Sequence, residues 1–546
     1  MKTFMNETRP QTGAQAVLMT LKAQGVDYLF ANAGTDFPSI IESLATNGDM
    51  VPKPITIPHE TAAVAMAHGY YLVSGKPQAV MVHVNVGLAN AAMGVINAAS
   101  DNIPLIMMSG RTPITEHGRV GSRISPIQYG QEMFDQTSLV RDATKFSYEM
   151  RYGEQGGQLA TRAIGIAMSE PRGPVYLSLP REPLAEEFPQ SQPFPPAPQA
   201  IAKPTSGDPQ DILRAAKLLE GAKSPLVICQ RGDVNGETAK ALSKLGLPVI
   251  EPFTVRNVMA TSDPAFFGYS LEMLKDADVV LVVDSAVPWI EKIHRPVSAK
   301  IITLGADPLF QKSPMRSFQS DISISCDPVA AILALCDIMK PRARPEKPSP
   351  PAPATPSTPM SDDWLSQCIS DILDGGVIFS ELGAVPSAIK FDGPNQLFTA
   401  PHSGGLGWAV PAALGAQLFD RSRLTIAAVG DGSYMFSNPV VCHQIAEALE
   451  LPLLIIIKNN GIWNAVRRSV VGAYPDGQAV KSNNMPLTSL EPSPDFAAIA
   501  GASRAYSERV ETGEDLPAAL QRALHAIRVE KRQALLDVRV AASDKR

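Results

Sequence analysis

Two stretches of the 546-residue chain hold residues whose types and spacing suit chemistry. In "AVGDGSYMFSNPVVCHQIAEALELPLLIIIKNNGIW", Asp431 follows one apolar run and an asparagine pair ending in Asn460 follows the next. A carboxylate and an amide carbonyl are hard oxygen donors, suited to Mg²⁺ or Ca²⁺ rather than zinc. Gly430 and Gly432 let the backbone approach a ligand, and Ser433 is predicted to begin a helix whose N-terminal amides suit a phosphate. A metal held by so few protein ligands suggests a diphosphate that completes its coordination. The second stretch, "ITIPHETAAVAMAHGYY", puts Glu60 just after a short strand, at the start of an Ala-rich helix. Taken alone, Glu60 reads as a charge favoured by the helix dipole. His83 ends the apolar strand "QAVMVHV", either as a hydrogen-bonded interior residue or as a group that exchanges protons near neutral pH. A third cluster, Gly404, Gly405 and Gly407 in "PHSGGLGWAVPAALGAQL", implies close backbone approach to something flat or bulky.

The elements around these residues explain how they meet. Residues 12–185 alternate helical patterns ("GAQAVLMTLKAQG", "TAAVAMAHGYYLVSG", "ANAAMGVINAASDN") with apolar strands ("VDYLFAN", "QAVMVHV", "PLIMMSG"), and "GPVYLSLPREPL" reads as a closing strand. Such alternation implies βαβ units and a parallel sheet. A second α/β block holds "SPLVICQRG", "LPVIEP", "ADVVLVVDS" and "AKIITLGADP"; a third holds "GGVIFSELG", "LTIAAVGDG", "LPLLIIIKNN" and "QALLDVRV". The predicted fold is α/β with three doubly wound parallel-sheet domains, at 1–186, 205–338 and 362–546. A Pro-rich linker at 339–361 is expected to be extended and exposed. In a parallel sheet, ligands collect at the carboxyl ends of the strands. Asp431 and Asn460 both lie at that edge, with a crossover helix between them, so they can face one point. The first and third blocks read as potentially similar domains.

Composition excludes several classes. A net charge of −6 gives no basic stripe, which argues against a nucleic-acid partner. The five cysteines are scattered and form no CxxC pair, against a disulfide framework or a structural zinc site. The N-terminal "MKTFMNETRPQTGAQAVL" has no apolar signal core, and no run reaches the roughly 18 apolar residues of a membrane span. The expectation is a cytoplasmic protein with no membrane partner. No GxGxxG follows a strand, which disfavours a dinucleotide-binding oxidoreductase.

GDG followed by NN at this spacing, with strands placed before both, resembles the fingerprint of the thiamine diphosphate (ThDP) enzyme family. The resemblance covers nearly the whole chain, as pyrimidine-binding, central and diphosphate-binding domains. It implies ThDP and Mg²⁺ as cofactors, with Asp431, Asn460 and the backbone carbonyl of Ile462 as metal ligands. Gly430, Gly432 and Ser433, and by topology Gly383 and Ala384, would lie near the diphosphate. Leu406 is either a core leucine or the apolar residue that props the cofactor into a V shape, with the Gly404 carbonyl receiving the aminopyrimidine amine. Glu60 would hydrogen-bond N1′ of the aminopyrimidine and favour the imino tautomer, which is acid–base catalysis by a tuned cofactor. The family places this Glu and the diphosphate site in different subunits, so a homodimer or homotetramer with interfacial active sites is implied.

Within the family, "LFANAGTDFPSII", "VMVHVNVGLANAAMG" and "HSGGLGWAVPAALG" look most like the acetolactate synthase and benzoylformate decarboxylase branches. His83 stands where the decarboxylases use a histidine to relay protons. Ala465 and Ser469 replace the Met and Trp typical of synthases, and Trp463, Ala465 and Leu406 offer an apolar pocket. "AVPWIEKIHRP" replaces a segment typical of synthases, which argues against FAD. It also puts Glu291 where the decarboxylases carry a second histidine, with His294 nearby and unassigned. Thr35 sits where the decarboxylase has a serine that binds the substrate carboxylate, and it reads equally as a turn residue before Asp36. His59 and His402 are candidates to line the site. The expected function is ThDP- and Mg²⁺-dependent decarboxylation of a bulky, benzoylformate-like 2-oxo acid, a small-molecule substrate, with or without carboligation. The alternatives are an acetolactate-synthase-like carboligase and, from another class, a non-catalytic ThDP-binding sensor or complex subunit.

Overall fold

A computed structural model describes residues 9–348 and 352–542. Residues 349–351 of the expected linker, the first eight residues of the N-terminal stretch and the last four of the chain lie outside the described residues. Three wholly parallel sheets are present. The first contains β1 (Tyr28–Ala31), β2 (Lys53–Thr56), β3 (Ala79–Val82), β4 (Ile106–Arg111), β5 (Ser147–Glu149) and β6 (Val175–Pro180), in the order β2-β1-β3-β4-β6-β5. The second contains β7 (Pro225–Cys229), β8 (Val249–Ile250), β9 (Val279–Val283), β10 (Lys300–Gly305) and β11 (Ile322–Ser325), ordered β11-β10-β9-β7-β8. The third contains β12 (Val377–Glu381), β13 (Leu397–Thr399), β14 (Thr425–Gly430), β15 (Leu454–Asn459), β16 (Tyr506–Val510) and β17 (Ala534–Arg539), ordered β13-β12-β14-β15-β17-β16. The first and third sheets therefore share one strand order, a relation the sequence left open.

The inner strands are near-continuous apolar runs because helices cover both faces of a parallel sheet. In β9, "VVLVV" is buried throughout, and "LIIIKN" of β15 likewise. The sequence reading misses β5, β11, β13 and β16, and the reason is physical. Edge strands pair on one side only and need no unbroken apolar run: β11 alternates buried and exposed residues, and β16 is mostly half-buried. Another difference touches the site. The reading ran the third strand through Val84 and began the next helix at Ala89, whereas the helix Val84–Ser100 starts immediately after His83. Val84 takes φ +31°, an uncommon left-handed value for a β-branched residue, at this abrupt strand-to-helix turn.

By contacts the chain divides into two units, one built from the residues up to Ala202 with Pro401–Phe419, the other from Lys203–Ala400 with Asp420 onward. The segment Pro401–Phe419, assigned by sequence to the 362–546 block, thus belongs with the first sheet. Its helix Ala409–Phe419 is buried along nearly its whole length and packs on the helix Glu60–Ser74. The crossing is backbone on backbone. A Cβ on Gly69 would stand 2.0 Å from the Ala412 carbonyl oxygen, and one on Gly415 would stand 2.0 Å from that of Met66. Among the described residues no helix is long and apolar enough to cross a membrane.

Candidate active site

In the first unit, β1 and β3 are neighbours at the point where the strand order reverses, the position at which open α/β sheets bind ligands. Thr35 and Asp36 follow β1, and His83 follows β3. Thr35 is exposed, while Asp36 is 3% exposed. One Asp36 oxygen, Oδ1, lies 2.5 Å from His83 Nδ1, and the other accepts the Val84 N–H at 3.1 Å. On its far side His83 Nε2 faces Gln131 Nε2 at 3.0 Å. The network assigns the imidazole proton to Nδ1, where the carboxylate accepts it, and leaves Nε2 as the acceptor. A carboxylate holding a histidine in one tautomer is the arrangement that makes an imidazole a directed base. Sequence reasoning treated Asp36 only as a turn neighbour and overlooked Gln131, which lies in an irregular stretch without periodicity.

Glu60, 8% exposed, opens its helix and accepts a hydrogen bond from Asn90 Nδ2 at 3.1 Å. Its other oxygen abuts Gly87, where a Cβ would come within 3.2 Å. His59 caps the same helix, its Nδ1 accepting the Thr61 N–H at 3.3 Å. That gives His59 a structural task. The Gly-rich loop sits in this unit too. Gly404 and Gly407 both take left-handed φ, +75° and +84°, and nothing lies within 4 Å of the position a Gly404 Cβ would occupy. Leu406 is half-buried, so it is not an ordinary core leucine, and His402 is exposed.

In the second unit, β14 and β15 are adjacent, and Asp431 and Asn460 follow their carboxyl ends. Asp431, 5% exposed, accepts the Gly432 N–H on one oxygen and the Gly461 N–H on the other, each at 2.8 Å. The second bond ties the GDG turn to the residue after Asn460, so the two turns that carry the candidate ligands are held together. Burial pushes the Asp431 carboxyl above its ordinary pKa although backbone N–H donors oppose this. The Asn460 side-chain oxygen accepts the Ile462 N–H at 3.1 Å, and the Ile462 carbonyl accepts the Asn464 N–H at 2.8 Å. The first asparagine of the pair is structural: Asn459 donates to Asp537 and accepts from Arg539, bracing β15 against β17.

The remaining candidates distribute unevenly. The helix expected at Ser433 begins at Asp431 and runs only to Phe436. Gly430 is open, its nearest neighbour to a Cβ being Ser433 Oγ at 3.9 Å. Trp463 is not free to line a pocket with its whole ring, because a Cβ on Gly432 would stand 2.2 Å from it. Gly383 packs on the β14 backbone, with the Ala428 carbonyl carbon 2.1 Å from where its Cβ would be, so packing alone requires a glycine there. Ala384 is tied back to β12 by its N–H, which donates to Ser380 Oγ at 3.1 Å. Ala465 and Ser469 are exposed on the helix Asn464–Ala473. Glu291 accepts from Trp289 Nε1 and pairs with Arg295, and the Nδ1 atom of His294 is buried.

The doubly wound sheets, the GDG and NN turns and the glutamate at a helix start are in keeping with an enzyme that binds a diphosphate cofactor. Comparison with known proteins agrees. The family described as thiamine pyrophosphate enzyme, N-terminal TPP binding domain, matches residues 11–139, and its C-terminal TPP binding domain matches residues 382–538. With more than half of its length so matched, the chain belongs to the thiamine pyrophosphate enzyme family, the ThDP-dependent decarboxylases and carboligases. It is 26% identical to a probable 2-ketoarginine decarboxylase of Pseudomonas aeruginosa, over 99% of this chain and 96% of that protein. It is 27% identical to a benzoylformate decarboxylase of the same organism, over 93% and 96%. A thiamine diphosphate-dependent 4-hydroxybenzoylformate decarboxylase of Rhodococcus jostii RHA1 shares the fold, with a TM-score of 0.82 at 23% identity over 98% of this chain and 100% of that one.

Proposed function

We propose that the protein is a ThDP- and Mg²⁺-dependent decarboxylase of a 2-oxo acid with a bulky side chain. The observation that carries this reading is the Asp36–His83–Gln131 array, a proton-relaying histidine oriented by a buried carboxylate at the carboxyl edge of the first sheet. The donor set fits the cofactor and the metal. Asp431 and the Asn460 carbonyl are hard oxygen ligands for Mg²⁺, the Ile462 carbonyl is a third, and the space beside Gly430 is open; in the first unit the Gly404 Cβ position is open as well. Bound there, ThDP supplies a carbon nucleophile and an electron sink for the pair left behind by CO₂. Glu60 holds the proton at the aminopyrimidine nitrogen, and burial keeps water from competing for it. The Thr35 hydroxyl, exposed beside Asp36, binds the substrate carboxylate. His83, with Asp36 holding the proton at Nδ1, takes up a second proton at Nε2 and passes that one on to release an aldehyde.

Several features support the rest of the reading. At the switch point of the second sheet, between β7 and β9, Gln230 Nε2 donates to the Val287 and Pro252 carbonyls and Arg316 to those of Ser285 and Ala286. The reading without FAD rests on the segment "AVPWIEKIHRP". The scattered free cysteines, four of the five buried and Cys336 half-buried, agree with a reducing, cytoplasmic setting. A homo-oligomer is the assembly in which the family completes its sites. The test is product analysis by NMR with ThDP and Mg²⁺ against benzoylformate, 2-ketoarginine and pyruvate, with Glu60→Gln in parallel. Aldehyde and CO₂ from one of the two bulky acids, lost in Glu60→Gln, is the expected result. Acetolactate from pyruvate with no aldehyde from any acid would overturn it in favour of a carboligase.

A further inference from the structure

We propose that Asn97 is a positioning residue that sets the direction of the Gly404 carbonyl. The inference rests on the reading above, in which that carbonyl receives the aminopyrimidine amine. Asn97 lies in the helix Val84–Ser100 and is 2% exposed. Its Nδ2 donates to the Gly405 carbonyl at 2.9 Å, and its Oδ1 accepts the Gly405 N–H at 3.2 Å and the Ser403 hydroxyl at 2.7 Å. The side-chain amide thus pairs with both polar atoms of Gly405, as a neighbouring strand would.

The geometry of a peptide group turns this into a directional device. In a trans peptide the N–H and C=O point in opposite directions within one plane. The Gly405 N–H belongs to the same peptide as the Gly404 carbonyl. Because that N–H is drawn to Asn97, the Gly404 carbonyl must point away from the helix Val84–Ser100. The next peptide is held from its other end, since the Gly405 carbonyl also faces Asn97, and this fixes the backbone from which Leu406 projects. Left alone, the loop has freedom to turn, because Gly404 and Gly407 both occupy the left-handed region that only glycine visits without strain. A side chain at Gly405 is excluded, its Cβ falling 2.6 Å from Asn97 Oδ1. Asn97 supplies the constraint that the glycines lack.

The test compares wild type, Asn97→Ala, Asn97→Asp and Glu60→Gln by two readouts other than turnover. The first is hydrogen–deuterium exchange of the Gly405 amide in unloaded protein. The second is the exchange rate of the ThDP C2 hydrogen after loading with ThDP and Mg²⁺. Asn97→Ala removes all three hydrogen bonds of that side chain; the Gly405 N–H loses one of ordinary strength, so its exchange is expected to speed about tenfold and C2 exchange to slow about tenfold. ThDP affinity is expected to stay within about threefold, because Asp431 and Asn460 keep their own hydrogen bonds. Asn97→Asp keeps the shape and an acceptor for the Gly405 N–H but sets a carboxylate against the Gly405 carbonyl; the repulsion drives the loop off this side chain, so Gly405 exchange is expected to speed and C2 exchange to slow, as in Asn97→Ala. If Asn97→Ala fails to fold, Asn97→Asp decides alone. Faster Gly405 exchange with unchanged C2 exchange would show a merely structural clamp and overturn the proposal, as would an unchanged Gly405 amide. The reading of the site fails separately, if Glu60→Gln leaves C2 exchange at the wild-type rate.

Discussion

Replacing Asp36 by asparagine is the sharpest perturbation of the proposed proton relay. The Asp36 carboxylate cannot swing aside, because its Oδ2 fills the space over Gly110, 1.6 Å from where a Cβ would be. Both oxygens are engaged, one with His83 Nδ1 and one with the Val84 N–H. The side-chain amide introduced by Asp36→Asn must therefore turn its NH₂ group to one of two donors. Facing Val84, it sets two N–H groups against each other. Facing His83, it forces Nδ1 to become the acceptor and moves the imidazole proton to Nε2, against Gln131 Nε2. Either choice loses a hydrogen bond to a charged group, about 1.5–3 kcal/mol. At about 1.4 kcal/mol per decade, that predicts a decline in kcat/KM of about 10- to 150-fold. Steady-state decarboxylation of the best substrate at pH 7 measures it, with ¹⁵N NMR of histidine-labelled protein reporting the His83 tautomer. If Asp36 acts through His83, Asp36→Asn combined with His83→Ala is no slower than His83→Ala alone. Fully additive losses, or Asp36→Asn within about threefold of wild type with its tautomer unchanged, would refute the reasoning.

Other expectations follow from the packing and the buried charges. Gly415→Ala forces apart two helices that touch through their backbones, an overpacking cost of about 3 kcal/mol, read as a fall in Tm of about 6–12 °C by calorimetry. Burial pushes the His443 pKa below the ordinary histidine value, and the ring is held neutral between the Tyr434 hydroxyl at 2.8 Å and Gln533 Oε1 at 2.7 Å. The unfolded chain then takes up the proton first, so stability is expected to fall as pH drops below about 6.5, and His443→Gln to flatten that acid limb in urea titrations. Glu251 shows the opposite sign: fully buried, with its carboxyl pushed up to about 8, it stays protonated in the folded state. Its contribution is whole below about 4.3 and is lost as pH rises through about 8, so Glu251→Gln is expected to level the urea midpoint across that range. Chelation of the metal, or Asp431→Ala, is expected to weaken ThDP binding at least about tenfold by calorimetric titration.

The legible parts of this molecule were those whose signal is local. Inner strands announce themselves by unbroken runs such as "LPLLIIIKNN", and Asp431 and Asn460 were readable because each stands directly behind such a run. Gly430 and Gly432 stand at the same strand end, whereas Glu60 by itself read only as a charge at a helix start and took its expected role from the resemblance to ThDP enzymes. What sequence did not give are contacts between segments that only folding joins. Asn97 and Gly405 are 308 positions apart, and nothing on a buried helix face distinguishes an asparagine that grips a distant loop. Asp36 and His83 are 47 apart, and Asp36 looked like any residue of a Thr-Asp turn. Short strands at sheet edges stayed hidden because half-buried residues carry no strong apolar pattern. The placement of Pro401–Phe419 with the first sheet was illegible for another reason: its determinants are two glycines, whose signal is a missing side chain.

That backbone-to-backbone crossing at Gly69 and Gly415 has an evolutionary and practical corollary. A distance fixed by main-chain atoms does not drift when neighbouring side chains grow or shrink. The helix that begins with Glu60 keeps its place against the helix that continues from the Gly-rich loop whatever happens to the residues around the substrate. Side chains around a bound substrate can therefore diverge without retuning the scaffold. A library aimed at altered activity can vary such neighbours while leaving 66–69 and 412–415, and the Asp36–His83–Gln131 array, untouched.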